Sequence, residues 1–260
     1  MKSQTIIMML FYAFGIYFAF AAAFFLFSDS VLYQPPRYAP YKQLLPNVKI
    51  PLSNGKVLSG VYLPNPKAEY TVLLSHGNAE DLGSLTPFLI HYHAQGYAVF
   101  AYDYEGYGES TGRPSEKNLY QDINATYDYL VKNLHVDPSK IVLHGRSLGS
   151  GPSIELARTK EVGKVILESP FVSAYQVFTR IPLPFDKYKN LSKIKQIKAP
   201  VLIIHGEVDT IIPFSHGNRM YKAVVGKKEY YWVKGASHND IYYVAGKNYW
   251  IAINNFIRNT

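Results

Sequence analysis

The chain of 260 residues contains no cysteine. That one absence removes a thiol nucleophile, a disulfide framework, a Cys-ligated metal and a lipidated cysteine near the N-terminus. Other signatures are missing too. No H-x-x-x-H or comparable histidine and carboxylate spacing predicts a metal centre. The glycine-bearing stretches "HGNAEDLG" and "YEGYGESTG" fit neither a phosphate-binding loop nor a dinucleotide fingerprint, so no cofactor is expected. The formal charge of +8 is not interleaved with an aromatic recognition motif, so nucleic acid is not an expected partner. There is no internal repeat and no low-complexity tract.

What is present suits one globular domain with a full core. The apolar fraction is 48% and the charged fraction 18%, both ordinary. The N-terminus differs in kind. Ile6 to Phe27 gives 22 residues without a charge, enough to span the hydrocarbon core of a bilayer as a helix. A cleaved signal peptide is the rival reading, because "AFA" at 19–21 and "AAA" at 21–23 resemble a small-residue cleavage site. Length favours the uncleaved anchor, and cleavage there would leave "FFLF" exposed. Lys2 before the run favours a cytoplasmic N-terminus, with the rest of the chain on the far side. Four prolines in "YQPPRYAPYKQLLPN" predict a stiff spacer. The expected organisation is therefore an anchor over 1–28, a spacer over 29–46 and a catalytic domain over 47–260.

From Val48 onward, short apolar strands alternate with helical stretches. "VKIPL" and "KVLSGVYL" around "SNG" read as a hairpin. "YTVLLS", "YAVFAYD", "KIVLHG", "KVILES", "PVLIIHG" and "EYYWVKG" read as strands. Helices are expected over 84–95, over 115–134 with Ser115 as N-cap, over 148–159 and over 244–258. Such alternation implies right-handed βαβ units and a mainly parallel sheet flanked by helices. Sites in such sheets lie at the carboxyl ends of the strands.

One of those ends carries Gly145-Arg146-Ser147-Leu148-Gly149, a G-x-S-x-G pattern between a strand and a helix. The pattern alone arises by chance in roughly one chain in ten of this length, so its placement is what counts. The glycines permit a sharp elbow, and the helix N-terminus behind Ser147 favours developing negative charge. A serine hydroxyl needs a base, and the base an orienting acid, here in the chain order Ser, acid, His. Of the later histidines, His205 lies inside a strand and His216 early in a helix. His238, in "VKGASHND", follows the last strand and can turn toward the serine. Asp209, in "IIHGEVDTIIP", is the preferred acid. Glu168, ending "ILES", is the reserve, and Glu207 and Asp240 are lesser alternatives. An oxyanion needs preorganised donors: the backbone N–H of Leu148 is one, and that of Asn78, in the loop after an earlier strand, is the second. His76 is expected to order that loop. Between "ESP" and "APVLIIHG" lies a segment with room for a short cap. Its first part is aromatic and apolar, suited to an acyl chain. Its second carries Lys187, Lys189, Lys193, Lys195 and Lys198, a solvated face or a patch for an anionic bilayer.

Together, "SHGNAEDLG", "YDYEGYGESTGRPSEKNLYQDI", "GRSLG", "PVLIIHGEVDTIIPFSHG" and "GASHNDI" resemble the membrane-associated serine hydrolases of the alpha/beta-hydrolase superfamily, above all the subfamily that removes palmitate from protein cysteines. The resemblance runs from about residue 70 to 258 and implies Ser147, Asp209 and His238 as the catalytic triad. It implies an alpha/beta-hydrolase fold and a small-molecule, lipid or acyl-protein substrate. One departure stands out: the depalmitoylating proteins attach through lipidated N-terminal cysteines, whereas this chain has a hydrophobic helix. A serine aminopeptidase with the same triad and a non-catalytic membrane-tethered binding module are the alternatives.

If residues 6–27 cross the bilayer, the full-length protein stays in the membrane fraction through high-salt and alkaline washing, since hydrophobic insertion is not screened by salt. Release by salt would make the lysine patch the attachment. A mature N-terminus at residue 22 or 24 would reveal a cleaved signal. The anchor and the hydrolase are also expected to be separable, with a chain starting near residue 40 folding alone.

Overall fold

A computed structural model describes residues 2–36, 46–179 and 183–259. It contains one eight-stranded sheet in the order β1-β2-β4-β3-β5-β6-β7-β8. Strands β1 (Asn47–Pro51) and β2 (Val57–Leu63) form the expected antiparallel hairpin, and β2 also runs antiparallel to β4 (Ala98–Tyr102). From β4 onward every pairing is parallel: β3 (Thr71–Ser75), β5 (Ile141–Arg146), β6 (Lys164–Glu168), β7 (Val201–Gly206) and β8 (Lys228–Val233). Strands β3 to β7 are buried at every position except Arg146 at the end of β5. That matches their continuous apolar runs, because helices cover both faces of a parallel sheet.

Two buried clusters flank the sheet. On one face Leu73, Phe100, Leu143 and Leu167 pack with Leu119, Ile123 and Leu130 of α3 (Glu116–Lys132) and Ile154 of α4 (Ser150–Thr159). On the other, Val72, Leu74, Val142 and Ile166 meet Leu85, Leu89 and Tyr92 of α2 (Leu82–Ala94) and Tyr249, Ile253 and Phe256 of the final helix, α9 (Lys247–Asn259). Helix α3 starts where expected, with the Ser115 side chain accepting from Asn118 N–H. Helix α2 begins earlier than read from sequence, because Asp81 and Ser84 form a reciprocal cap. The expected last helix divides in two: α8 (Ile241–Ala245) and α9 are separated by Gly246 at φ +52°. The remaining helices are α5 (Ala174–Phe178), α6 (Asn190–Lys193) and α7 (Phe214–Ala223).

The N-terminal apolar run forms α1 (Lys2–Leu32), of mean hydropathy 2.1 over its most apolar window and almost wholly exposed there. Its last turns are different. Ser28, Leu32 and the following Tyr33 are buried, and Leu32 and Tyr33 join the same core cluster as β3 and α3. Residues 24–34 therefore pack against the sheet domain, and a chain starting near residue 40 lacks side chains that fill it, which bears against the expected clean separation. Half of the expected spacer, 37–45, lies outside the described residues, and its first part is not spacer: residues 29–32 are the last turn of α1.

The loop after β4, "DYEGYGESTG", supports the site from behind. Asp122 of α3 accepts the N–H of Glu105 at 2.9 Å, and Tyr104 donates to the carbonyl of His76 at 2.7 Å. Burial, together with the charge of Glu105 and against the Glu105 N–H, pushes the Asp122 carboxyl up to about 8. An unfolded aspartate ionises near about 3.9, so the folded state holds an extra proton between these values and loses stability as pH rises through that window. Asp122→Asn still accepts the Glu105 N–H without titrating. Its melting temperature relative to the parent should therefore climb from about pH 4 to about pH 8; a pH-independent difference would show that Asp122 is ionised in the fold.

Candidate active site

Ser147 stands at the elbow between β5 and α4, at φ +50°. A left-handed serine costs roughly 1–2 kcal/mol and persists only where its surroundings fix it. Here the two flanking glycines leave no freedom. A Cβ on Gly145 would lie 2.5 Å from the Gly149 carbonyl oxygen, and one on Gly149 would collide with the carbonyl of Ser75. A short helical turn over Ser147–Gly149 leads into α4, and Ser150 Oγ donates to the Ser147 carbonyl at 2.7 Å.

The structure brings the three predicted residues together. His238 Nε2 lies 2.9 Å from Ser147 Oγ, and its Nδ1 lies 2.7 Å from Asp209 Oδ2. With a carboxylate on Nδ1 the ring proton sits there, leaving Nε2 to accept from the serine hydroxyl. Asp209 is held on both oxygens. Oδ1 accepts the N–H groups of Ile211 and Ile212 at 2.9 and 2.8 Å, and Oδ2 also accepts from Ser169 Oγ at 3.1 Å. His205 Nε2 stands 3.3 Å from the same Oδ2. Burial opposes ionisation of Asp209, yet the hydrogen bonds from His205 and His238 hold its carboxyl well below the usual carboxylate range. Asp209 therefore remains charged throughout the neutral and mildly acid range.

The other acids are accounted for. Asp240 accepts the Ser237 N–H at 2.6 Å, which shapes the loop carrying His238, and Glu207 is exposed. Glu168 belongs to a different network. Its Oε1 accepts Arg146 Nε at 2.9 Å and its Oε2 the Tyr249 hydroxyl at 2.5 Å, with His144 Nε2 at 3.7 Å. Burial works against its charge, but His144, the Arg146 guanidinium and Tyr249 more than offset it and lower its pKa to about 2. Arg146 also pairs with Glu80, which in turn accepts the Gly77 N–H at 2.6 Å. Sequence reasoning passed over Arg146 as the variable position of the elbow. A cation beside the elbow serine, with a glutamate ending another strand, was the available signal. His216 is buried, accepts the Val172 N–H at 3.2 Å, and has its pKa lowered to about 4 by burial and by Arg219.

Leu148 follows Ser147, and Asn78 sits in the loop after β3; both line the same cavity as Ser147 and His238. His76 is buried behind that loop, with Nδ1 2.8 Å from the Gly77 carbonyl and Nε2 3.5 Å from Asp103, so it orders the loop as expected. The cavity measures about 1070 Å³. Phe171, Ala174, Val177 and Phe178 contribute the cap-side wall, Leu85, Phe88 and Tyr242 another. The cap segment is thus a short excursion carrying α5 and α6, with 180–182 outside the described residues. Of the lysines after it, Lys187 pairs with Asp29, and Lys193 lies 2.9 Å from Glu155 and 3.6 Å from Glu116. Lys189, Lys195 and Lys198 are exposed.

Residues 66–190 match the family model described as serine aminopeptidase, S33. Alpha/beta hydrolase domain-containing protein 17C of Mus musculus is 45% identical over 180 residues, covering 68% of this chain and 56% of that protein. Protein 17B of Xenopus tropicalis is 44% identical over 181 residues, covering 68% of this chain and 63% of that one. The chain spans a little over half the length of the curated relatives it matches. Among solved structures, the Pyrococcus furiosus esterase Pf2001 shares the fold with a TM-score of 0.71 at 21% identity, over 87% of this chain and 97% of that one. An alpha-beta hydrolase from Vibrio vulnificus does so with a TM-score of 0.64 at 23% identity, over 80% of each chain. With the parallel sheet, the serine elbow and these similarities in agreement, the chain belongs to the alpha/beta-hydrolase superfamily.

Proposed function

We propose that the protein is a membrane-anchored serine hydrolase that cleaves carboxylic esters or thioesters, with acyl groups on proteins or lipids as the substrate class. The observation that carries the reading is the unbroken hydrogen-bonded line from Ser147 through His238 to Asp209, opening into an apolar cavity. His238 Nε2 takes the Ser147 proton as Oγ attacks the acyl carbonyl. The resulting oxyanion is met by the N–H groups of Leu148 and Asn78. As the tetrahedral intermediate collapses, the carbon–oxygen or carbon–sulfur bond breaks, and His238 returns the proton to the departing alcohol or thiol. Water, deprotonated by the same imidazole, then attacks the acyl-serine, releasing the acid and restoring the Ser147 hydroxyl. Asp209 stays ionised and stabilises the imidazolium in both halves.

Two features support an acyl substrate presented at a membrane. Helix α1 is long and apolar enough to cross one. Exposed apolar side chains also surround the cavity: Phe178 from the cap, Ile211 beside Asp209, and Tyr243 beyond His238. The name of the matching family model favours a second reading, a peptidase that recognises a free amino terminus. Binding an ammonium group calls for an uncommitted carboxylate. The acids lining the cavity are Glu80 and Glu168, and both are paired with Arg146. The site therefore favours an uncharged acyl group.

Ser147→Ala should abolish fluorophosphonate labelling and lower turnover of nitrophenyl esters by about 10⁶-fold, as for triad serines in general; parental turnover would end the hydrolase reading. Activity on aminoacyl amides exceeding that on acyl esters and thioesters would instead select the peptidase.

The two acids should separate cleanly. Asp209→Asn leaves the fold in place but cuts kcat by about 10⁴, since the imidazole loses its tautomer-fixing partner. Glu168→Gln breaks a buried ion pair and costs about 3–5 kcal/mol of stability at neutral pH. The Glu168 pKa is depressed to about 2, so its contribution is present above about pH 4.3 and lost as pH falls toward 2. The gap in melting temperature between parent and Glu168→Gln should shrink across that window. A 10⁴-fold loss in Glu168→Gln with an active Asp209→Asn would exchange their roles.

A further inference from the structure

The end of α1 and the residues after it lie inside the catalytic site. Val31, Leu32 and Gln34 line the same cavity as Ser147 and His238. Their position is fixed by a specific set of bonds. Asn78 Nδ2 donates to the Leu32 carbonyl at 2.6 Å, and the Gln34 N–H donates to Asn78 Oδ1 at 2.9 Å. The Tyr107 hydroxyl donates to that same oxygen at 2.6 Å. Around this clamp the buried hydroxyls of Tyr33 and Tyr188 lie 2.8 Å apart, Asp29 pairs with Lys187, and Phe24 packs edge-on against Tyr175 at 4.8 Å. A helix that served only to tether the domain would need none of these contacts.

We infer that the last turn of α1, together with Tyr33 and Gln34, is a working part of the active site: it clamps the loop that carries the Asn78 amide and walls the space beside Ser147 in which the acyl chain lies. The inference rests on the hydrolase reading above. The Asn78 side chain is planar and makes three hydrogen bonds, two of them to the α1 end and one to the loop after β4. It fixes the backbone from which the Asn78 N–H points. An oxyanion donor contributes only when its position is fixed before the charge develops. The Leu32 carbonyl is one of the acceptors that a helix leaves without an internal partner at its C-terminus, so the clamp satisfies the helix as well. Val31 adds its branched side chain to the wall that Ala174, Val177 and Phe178 supply from the cap. Val31, Leu32 and Gln34 are positioning and specificity residues, acting through Asn78 and through the shape of the cavity.

The test uses the full-length protein in detergent micelles and a series of nitrophenyl esters from acetyl to hexadecanoyl. Val31→Trp, at a position 44% exposed, places a ring in the wall. Each methylene excluded from an apolar site is worth about fourfold, so displacing two or three should lower kcat/KM for the long esters by roughly 15- to 60-fold. The loss on the acetyl ester should be smaller than on the long esters, so the ratio of long-ester to acetyl-ester kcat/KM is what falls. Gln34→Pro deletes the single N–H that reaches Asn78, whereas Gln34→Ala keeps it. The proline variant should lose about tenfold or more in kcat on the acetyl ester with KM unchanged, and the alanine variant, which keeps that N–H, should lose clearly less kcat than the proline variant. An equal effect of Val31→Trp on every chain length, or no effect, overturns the inference. So does parental kcat in Gln34→Pro. Should the proline variant melt early, the Val31→Trp series alone decides. Failure of the hydrolase reading shows separately, as turnover that survives Ser147→Ala.

Discussion

The turn that follows β5 crosses the C-terminal end of β3 at backbone contact. A Cβ on Gly149 would strike the Ser75 carbonyl and stand 2.8 Å from that of His76. This approach couples the two halves of the site. One side carries Ser147 and the Leu148 amide; the other continues from His76 into Gly77 and Asn78. Because both are backbone, neither can yield without moving a central strand, and close-packed interiors resist such movement. The left-handed Ser147 is stable for that reason, and the candidate oxyanion donors keep a fixed distance from it. The loop after β4 adds a second brace, with Tyr104 on the His76 carbonyl and Tyr107 on Asn78.

Charge is distributed around this frame so that one carboxylate serves the imidazole and the others do not compete. Asp209 is satisfied by two backbone N–H groups, a serine hydroxyl and two histidines, all of which favour its ionised form. Glu168 ends the neighbouring strand, yet its oxygens are occupied by Arg146 and Tyr249. Arg146 in turn occupies Glu80. A lone buried guanidinium or carboxylate beside Ser147 would be costly, and sharing Arg146 between Glu80 and Glu168 lowers that cost and leaves neither carboxylate uncommitted. With no free carboxylate to meet an ammonium group, the cavity suits an acyl chain better than a charged peptide terminus.

The meeting of Ser147, Asp209 and His238 was legible in the sequence because its signals are local and redundant. A strand, two glycines and a helix frame Ser147. A strand end precedes Asp209, and the loop with His238 follows the last strand. What the sequence could not show depends on side chains meeting across long chain separations. Arg146 with Glu80, Glu168 with Tyr249, and Asn78 with Leu32 and Gln34 join residues 44 to 81 positions apart. Hydrophobic periodicity carries no information about such pairs. The same limit explains why the end of α1 read as a tether. An apolar run looks alike whether its last turns face lipid or protein, and Leu32 and Tyr33 reveal their burial only when the domain is present to bury them.

Length supplies a reason for that docking. A helix of 31 residues extends about 46 Å at 1.5 Å per residue, whereas a hydrocarbon core of about 30 Å needs roughly 20 of them. Once α1 is read as a span, some ten residues remain. The stretch that packs against Tyr175, Tyr188 and Asn78 is of that order, running from Phe24 to Gln34. A lipid chain on a flexible cysteine fixes only how near an enzyme lies to a bilayer. A rigid helix whose final turns are part of the catalytic wall also fixes orientation, because rotation of the domain about its tether would break the Asn78 and Tyr33 contacts. On the anchored reading proposed above, Phe178, Ile211 and Tyr243, exposed around the cavity, are the side chains that would meet acyl groups at a bilayer surface. The helix would then do the tethering for which this chain has no cysteine, with its last turns packed beside Ser147.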